Sequence, residues 1–154
     1  MIELYPSCIE RACDLCCRRG KNKNSGALIT IDDPAYSSFS QDELETRDGL
    51  TFLKKSNGVC TKMKDKGCGI WDKPRPSVCS DYPYSLYNEK LMVSTSCPWV
   101  LDTLLPEIAN GADNETLTNL KELKYRLINK IPKELVKIQS KDKDLHLVKI
   151  EINV

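Results

Sequence analysis

The chain has 154 residues, long enough for one domain with a core or for a compact domain with an appendage. Its 23 basic and 22 acidic side chains leave a net charge of +1, which favours no partner class. No apolar run approaches the roughly 20 residues that span a bilayer, so a membrane-spanning helix is excluded.

The opening Met1-Ile2-Glu3-Leu4-Tyr5-Pro6 lacks the basic head and apolar stretch of a signal peptide. That predicts a cytoplasmic protein, where thiols stay reduced and clustered cysteines act as metal ligands. The competing reading is a disulfide framework in a secreted protein. The even number of eight cysteines suits it, but the chain is longer than most such scaffolds.

The stretch Cys8-Ile9-Glu10-Arg11-Ala12-Cys13-Asp14-Leu15-Cys16-Cys17 holds four thiols in ten residues. Cys13 and Cys16 form a CxxC step, the spacing that turns two sulfurs toward one metal. On a helical turn Cys13, Cys16 and Cys17 share a face. Arg18, Arg19, Lys21 and Lys23 follow, and positive charge there stabilises thiolates or an anionic cluster. Residues 20–26 read as a loop and residues 27–31 as a short strand. Asp32-Asp33-Pro34 ends it, with Asp33 capping the next turn and Pro34 at its first position.

Residues 35–50 are polar, with a helical turn near 42–45 after Ser40. Residues 49–55 predict a strand, Ser56-Asn57-Gly58 a hairpin turn, and 59–63 the partner strand bearing Cys60. Cys68 and Cys79 bracket a segment stiffened by Pro74 and Pro76, with Arg75 between them as a candidate donor to a carbonyl, carboxylate or cluster sulfur. Lysines 54, 55, 62, 64, 66 and 73 surround this part of the chain and read as solvated faces or as a patch for phosphates or an acidic protein.

Residues 85–94 predict a hairpin about Asn88-Glu89-Lys90 that leads to Cys97. Trp99 to Ile108 reads as a short helix despite Pro106, ended at Gly111. Trp71 and Trp99 are assigned to core packing near the metal. Asp113 or Asn114 caps a helix with an apolar stripe of Leu117, Leu120, Leu123, Leu127, Ile128 and Ile131. Pro132 breaks or kinks it, and Leu135, Val136 and Ile138 continue the face. Val148, Ile150, Ile152 and Val154 alternate with polar residues as a terminal strand, expected to pair with 27–31 or with another chain. The stripe either packs on the cysteine domain or docks a protein partner. His146 reads as structural.

These motifs, taken in order, resemble the CxxCxxCC cysteine-cluster family of YkgJ type, described as a zinc- or iron-chelating domain. The matching pieces are Cys8 with Cys13-Asp14-Leu15-Cys16-Cys17, Phe52-Leu53 before Cys60, Cys68-Gly69-Ile70-Trp71, Arg75-Pro76-Ser77-Val78-Cys79, Tyr82-Pro83 and Cys97-Pro98. They cover residues 8–99. Cys8 stands further from Cys13 than the family name implies, and Ser80 stands where the family usually has Arg. The resemblance implies metal binding in a cytoplasmic setting and no particular reaction. Flagellin lysine N-methylases carry a similar cysteine motif in longer chains, but no glycine-rich nucleotide loop follows a strand here.

The expected metal ligands are Cys8, Cys13, Cys16, Cys17, Cys60, Cys68, Cys79 and Cys97. A single histidine nearly excludes mixed Cys/His zinc sites, and an all-thiolate set suits zinc and iron–sulfur centres alike. Adjacent cysteines, basic flanks and the methylase branch favour a [4Fe–4S] cluster, with zinc as the alternative or an additional metal. The expected fold is α+β: a small, loop-rich, metal-stabilised cysteine-cluster domain with short hairpins over residues 1–100, then helices and a C-terminal strand over 101–154. The favoured function is an iron–sulfur accessory or electron-transfer subunit, without enzymatic activity. One alternative is a zinc-binding structural adaptor docking a larger protein or nucleic-acid assembly. Another is a cluster-dependent methyl- or redox-transfer enzyme.

Overall fold

A computed structural model describes residues 2–6, 8, 25–64, 67–130 and 149–154. The fold is α+β, and it divides into two compact units, one of residues 7–81 and the other of residues 1–6 with 82–154. The division falls after Asp81, whereas the sequence placed it after residue 100. The hairpin of residues 84–94 and Cys97 therefore belong with the C-terminal helix.

In the 7–81 unit, β1 (Ser25–Ile29), β2 (Leu44–Arg47) and β3 (Leu50–Ser56) form an antiparallel sheet in the order β1-β3-β2. The strand β4 (Val59–Cys60) pairs with the end of β3. The β3–β4 turn is Asn57-Gly58, with φ of 52° and 79°, the left-handed pair that matches strand twist. Asp48-Gly49, with φ of 54° and 75°, makes the same turn between β2 and β3. The register of β1 on β3 shifts between Ser25 and Leu28, and Gly26 lies in that irregularity. A Cβ at Gly26 would stand 3.1 Å from the Leu53 carbonyl oxygen, a tight approach that favours glycine there.

The predicted strand over 59–63 is split. After β4, Thr61 donates its N–H and hydroxyl to the Lys54 carbonyl, and a second hairpin begins with β5 (Met63–Lys64) and β6 (Gly67–Cys68). The one-turn helix α1 (Ser77–Ser80) closes the unit. Its core among the described residues is Ile29, Ala35, Phe39, Leu44 and Leu53, with Cys60 and Ile70 packed against it.

Ser40 begins a 3-10 turn over Gln41–Glu43 and donates its N–H and its hydroxyl to Glu43 Oε1. The other Glu43 oxygen meets Lys62 Nζ, which also lies 5.5 Å from the centre of the Phe39 ring. The hydrogen bond from Lys62 is the main cause that holds the Glu43 carboxyl below its ordinary value of 4.5. A lowered carboxylate stabilises the fold above its unfolded pKa and loses that contribution as pH falls through the folded one. Glu43→Gln is therefore expected to flatten the stability profile below pH 4.5, modestly because the pair is partly solvated. Thermal melts of both proteins across the acid limb check this, and parallel profiles would remove the pair from the stability account.

In the other unit, β7 (Tyr84–Tyr87) and β8 (Lys90–Ser94) form a hairpin about Asn88-Glu89, with φ of 48° and 61°. One wide π-type turn, Val100–Leu104, leads into α2 (Leu105–Ala109). Pro106 sits in the first turn of α2, where no intrahelical partner for its missing N–H is needed. Gly111, at φ 84°, follows the helix end.

The long helix α3 (Asn114–Lys130) starts where Thr116 N–H donates to Asp113 Oδ1 at 2.7 Å. That bond is the main reason the Asp113 carboxyl is lowered to about 2. Thr116, Leu120, Leu123 and Leu127 form its buried face at helical spacing. The expected continuation through Ile131, Pro132, Leu135, Val136 and Ile138, and His146, lie outside the described residues.

The terminal strand β9 (Lys149–Ile152) pairs with β8, giving the sheet order β7-β8-β9. This corrects the expected pairing with residues 27–31 or another chain. The register sets Ile152 opposite Leu91 and seats it at 4 % exposure in the core, while Ile150 stays 43 % exposed. Lys149 Nζ donates to Ser85 Oγ, and Lys124 Nζ to the Val154 carbonyl. The N-terminal residues join the same unit. The Tyr84 hydroxyl donates to the Leu4 carbonyl, Tyr5 meets the Tyr84 ring edge-on at 5.3 Å, and Arg126 donates to the Tyr5 hydroxyl. Among the described residues, no helix is long and apolar enough to cross a membrane.

Candidate metal centre

Seven of the eight cysteines fall in the 7–81 stretch, and Cys97 alone falls in the other unit. Cys8, Cys60, Cys68, Cys79 and Cys97 are described, and each is a thiol. Cys13, Cys16 and Cys17 lie outside the described residues. The four described cysteines of the 7–81 stretch are half-buried, an environment between an inert core thiol and a surface one.

Three of those thiols, Cys60, Cys68 and Cys79, are delivered by short elements. Cys60 ends β4 opposite Lys55 of β3, and its side chain reaches the core of the unit. Cys68 ends β6 opposite Met63, and Gly69 N–H donates to the Lys62 carbonyl to complete the hairpin. Cys79 lies in α1.

The segment between Cys68 and Cys79 is held by contacts of its own. Trp71 N–H donates to the Cys68 carbonyl at 3.3 Å, and Lys73 N–H to that of Ile70 at 3.0 Å. The Arg75 guanidinium stacks 4.2 Å from the centre of the Trp71 ring. Arg75 thus acts on an aromatic face rather than at the surface. Cys79 and Ser80 N–H groups both donate to the Pro76 carbonyl. Asp33 adds a long-range restraint: Oδ1 accepts from Ala35 N–H at 2.9 Å and Oδ2 from Ser77 N–H at 2.8 Å. One carboxylate therefore caps its own turn and tethers the start of α1, 44 residues away. Sequence reading saw only the local half of that role.

Cys97 has a different setting. It is 4 % exposed in a core with Leu91, Val93, Trp99 and Leu104. The Tyr84 hydroxyl nearby is pushed well above its ordinary range, chiefly by burial and then by the Tyr5 and Cys97 charges. Trp99 is core packing, as expected, whereas Trp71 is half-buried and carries Arg75.

Among the described residues, no three Cys, His, Asp or Glu side chains are grouped to hold a metal ion. The donor chemistry nevertheless fits a soft metal, since the 7–81 stretch contains seven thiols and no histidine. Among the described residues, the basic side chains around it differ in setting. Lys62 pairs with Glu43, Arg75 stacks on Trp71, and Lys55 is buried at 7 % exposure, while Lys54 and Lys73 face solvent. The sequence reading placed Lys55 with the surface lysines. The missed signal is alternation along β3, which puts Lys55 on the same face as Leu53. No protein-family model, curated protein or solved structure matches the chain.

Proposed function

We propose that residues 7–81 bind a soft metal centre through cysteine thiolates, an iron–sulfur cluster in the first instance. The chain would then serve as an accessory or electron-transfer subunit. The observation that carries this reading is the mismatch, among the described residues of the 7–81 unit, between a small apolar core and four half-buried thiols. Metal binding contributes folding energy directly, which suits a unit whose described core is this small. The ligands are drawn from Cys8, Cys13, Cys16, Cys17, Cys60, Cys68 and Cys79. A bound cluster would supply one-electron redox chemistry. The chain's own residues hold Cys68 and Cys79 at the ends of a braced loop.

Zinc is the second reading. It is favoured by the short β5–β6 hairpin followed by a helical turn, a compact scaffold of the kind that serves structural zinc sites. In that case the chain is an adaptor that docks a larger assembly.

Metal and acid-labile sulfide analysis, with visible absorption, on protein purified without oxygen tests both. Brown protein with iron and sulfide supports the cluster, colourless protein with zinc supports the adaptor, and protein with neither metal overturns the proposal. Cys97→Ala separates core from ligand. It is expected to cost about 1 kcal/mol through its cavity and to leave the metal content at the wild-type value. A fall in metal content would return Cys97 to the ligand set.

A further inference from the structure

We infer that Asp33 is a positioning residue for Cys79 in the thiolate centre. This assignment rests on the metal-binding reading above. Cys79 lies in α1, a single turn of four residues. Forming a first helical turn fixes several dihedral angles for one hydrogen bond, so a turn this short does not hold its shape alone. Its first N–H groups have no acceptor within the turn. The residue before it, Pro76, makes no side-chain cap bond. Asp33 supplies the acceptor from far along the chain: its Oδ2 takes the Ser77 N–H at 2.8 Å.

The carboxylate is itself held. Asp33 sits in a closed turn after β1, where its N–H donates to the Thr30 carbonyl and Tyr36 N–H donates to the Asp33 carbonyl. Oδ1 accepts from Ala35 N–H at 2.9 Å, which fixes the rotation of the carboxylate and aims Oδ2 at Ser77. On the other side of that bond, Pro76 is fully buried, and its carbonyl accepts from Cys79 N–H at 2.8 Å and from Ser80 N–H at 3.0 Å. Asp33 therefore anchors the first residue of the turn, and the turn sets the backbone of Cys79 two residues on. Thiolates bind a metal tightly when they are held near the bound geometry, so the bonds that support a ligand contribute to the affinity.

The test uses the full chain, reduced and metal-free, titrated without oxygen with zinc in competition with a chelating dye. Asp33→Asn keeps one acceptor oxygen, which can serve Ala35 or Ser77 but not both. It is expected to weaken zinc binding about tenfold, the effect of one hydrogen bond to a charged group. The same substitution on a Cys79→Ala chain discriminates. With no thiol left in α1 to position, Asp33→Asn is expected to change the affinity by less than about twofold there. Leu44→Val in β2 loosens the core of the unit and is expected to weaken binding by the same factor in both backgrounds, as a merely structural role would.

Equal weakening by Asp33→Asn in both backgrounds overturns the assignment, and so does unchanged affinity in the otherwise wild-type chain. Wild-type affinity in Cys79→Ala removes Cys79 from the ligand set and overturns the assignment while leaving the metal-binding reading to the other cysteines. If Asp33→Asn takes up no zinc, Ser77→Pro decides, since proline suits the first residue of a helical turn and removes the same N–H. Weakened binding that disappears as an effect on the Cys79→Ala chain supports the tether, and wild-type binding or none overturns it. A wild-type chain that takes up neither zinc nor cobalt(II) overturns the metal-binding reading and this assignment together.

Discussion

Leu120→Ala is expected to destabilise the unit of residues 82–154 by about 3 kcal/mol. Leu120 has no exposed surface and lies at the middle of the buried face of α3, between Thr116 and Leu123. Truncation removes the transfer free energy of its side chain and leaves a cavity that the surrounding core fills only partly. Alanine is itself a good helix former, so the loss reports packing rather than helix propensity. For a unit of this size the melting temperature should fall by about 15 °C. Calorimetry or denaturant titration measures it, and a loss under about 1 kcal/mol would show that α3 is not seated in the core. The exposed Tyr125 on the same helix is the control, because its truncation to alanine should change stability little.

Removal of the metal should act on the other unit. On the proposed reading, a strong chelator under reducing conditions, or acid for an iron–sulfur cluster, is expected to abolish the cooperative unfolding transition of residues 7–81. Structural metal sites contribute on the order of 10 kcal/mol, a large share for a unit whose described core is Ile29, Ala35, Phe39, Leu44 and Leu53. The transition of residues 82–154 should persist, since its core of Leu86, Leu91, Val93, Leu104, Leu120 and Leu127 contains no expected metal ligand apart from Cys97. Hydrogen exchange resolves the two: amides of β3 should lose protection while those of β8 and α3 keep theirs. Simultaneous loss in both units would show that they unfold as one. Retention in both would show that the metal is dispensable for folding.

Much of the fold was legible in the sequence where local chemistry and packing agree. Asn57-Gly58 marked a hairpin, and both residues take the left-handed conformation that this dipeptide favours in so short a turn. Asn88-Glu89 did the same less obviously. Asp113 announced the start of α3, and the leucine spacing set its buried face. By contrast, β2 was not read as a strand. Its Leu-Glu-Thr-Arg sequence has one buried residue and owes its conformation to pairing with β3. The partner of β9 was misjudged because alternation identifies a strand without naming its neighbour. Registry with Leu91 and Val93 decides that.

For the candidate site, the cysteines were visible as a set, but their partition was not. Cys97 sits four residues beyond a core strand residue, Val93, and it is the tertiary packing that buries it. Asp33 was read for its local cap, which the structure shows, but not for its tether to Ser77, and Lys55 was read with the surface lysines although it is buried. Ser77 lies 44 residues along the chain from Asp33, where sequence distance hides proximity.

The anchoring of Leu4 and Tyr5 has a consequence for the order of assembly. The Leu4–Tyr84 bond spans 80 residues of chain and the Tyr5–Arg126 bond spans 121, so both close very large loops. Loop-closure entropy makes such contacts late events, formed after local hairpins and helices. Everything between Leu4 and Tyr84 except a few residues belongs to the 7–81 unit, which is thus an insertion within the sequence of the other. If the insertion orders first, fewer free links remain to be closed and docking of the strap is faster. The refolding rate of the C-terminal core should then respond to metal, although no expected ligand apart from Cys97 lies within it.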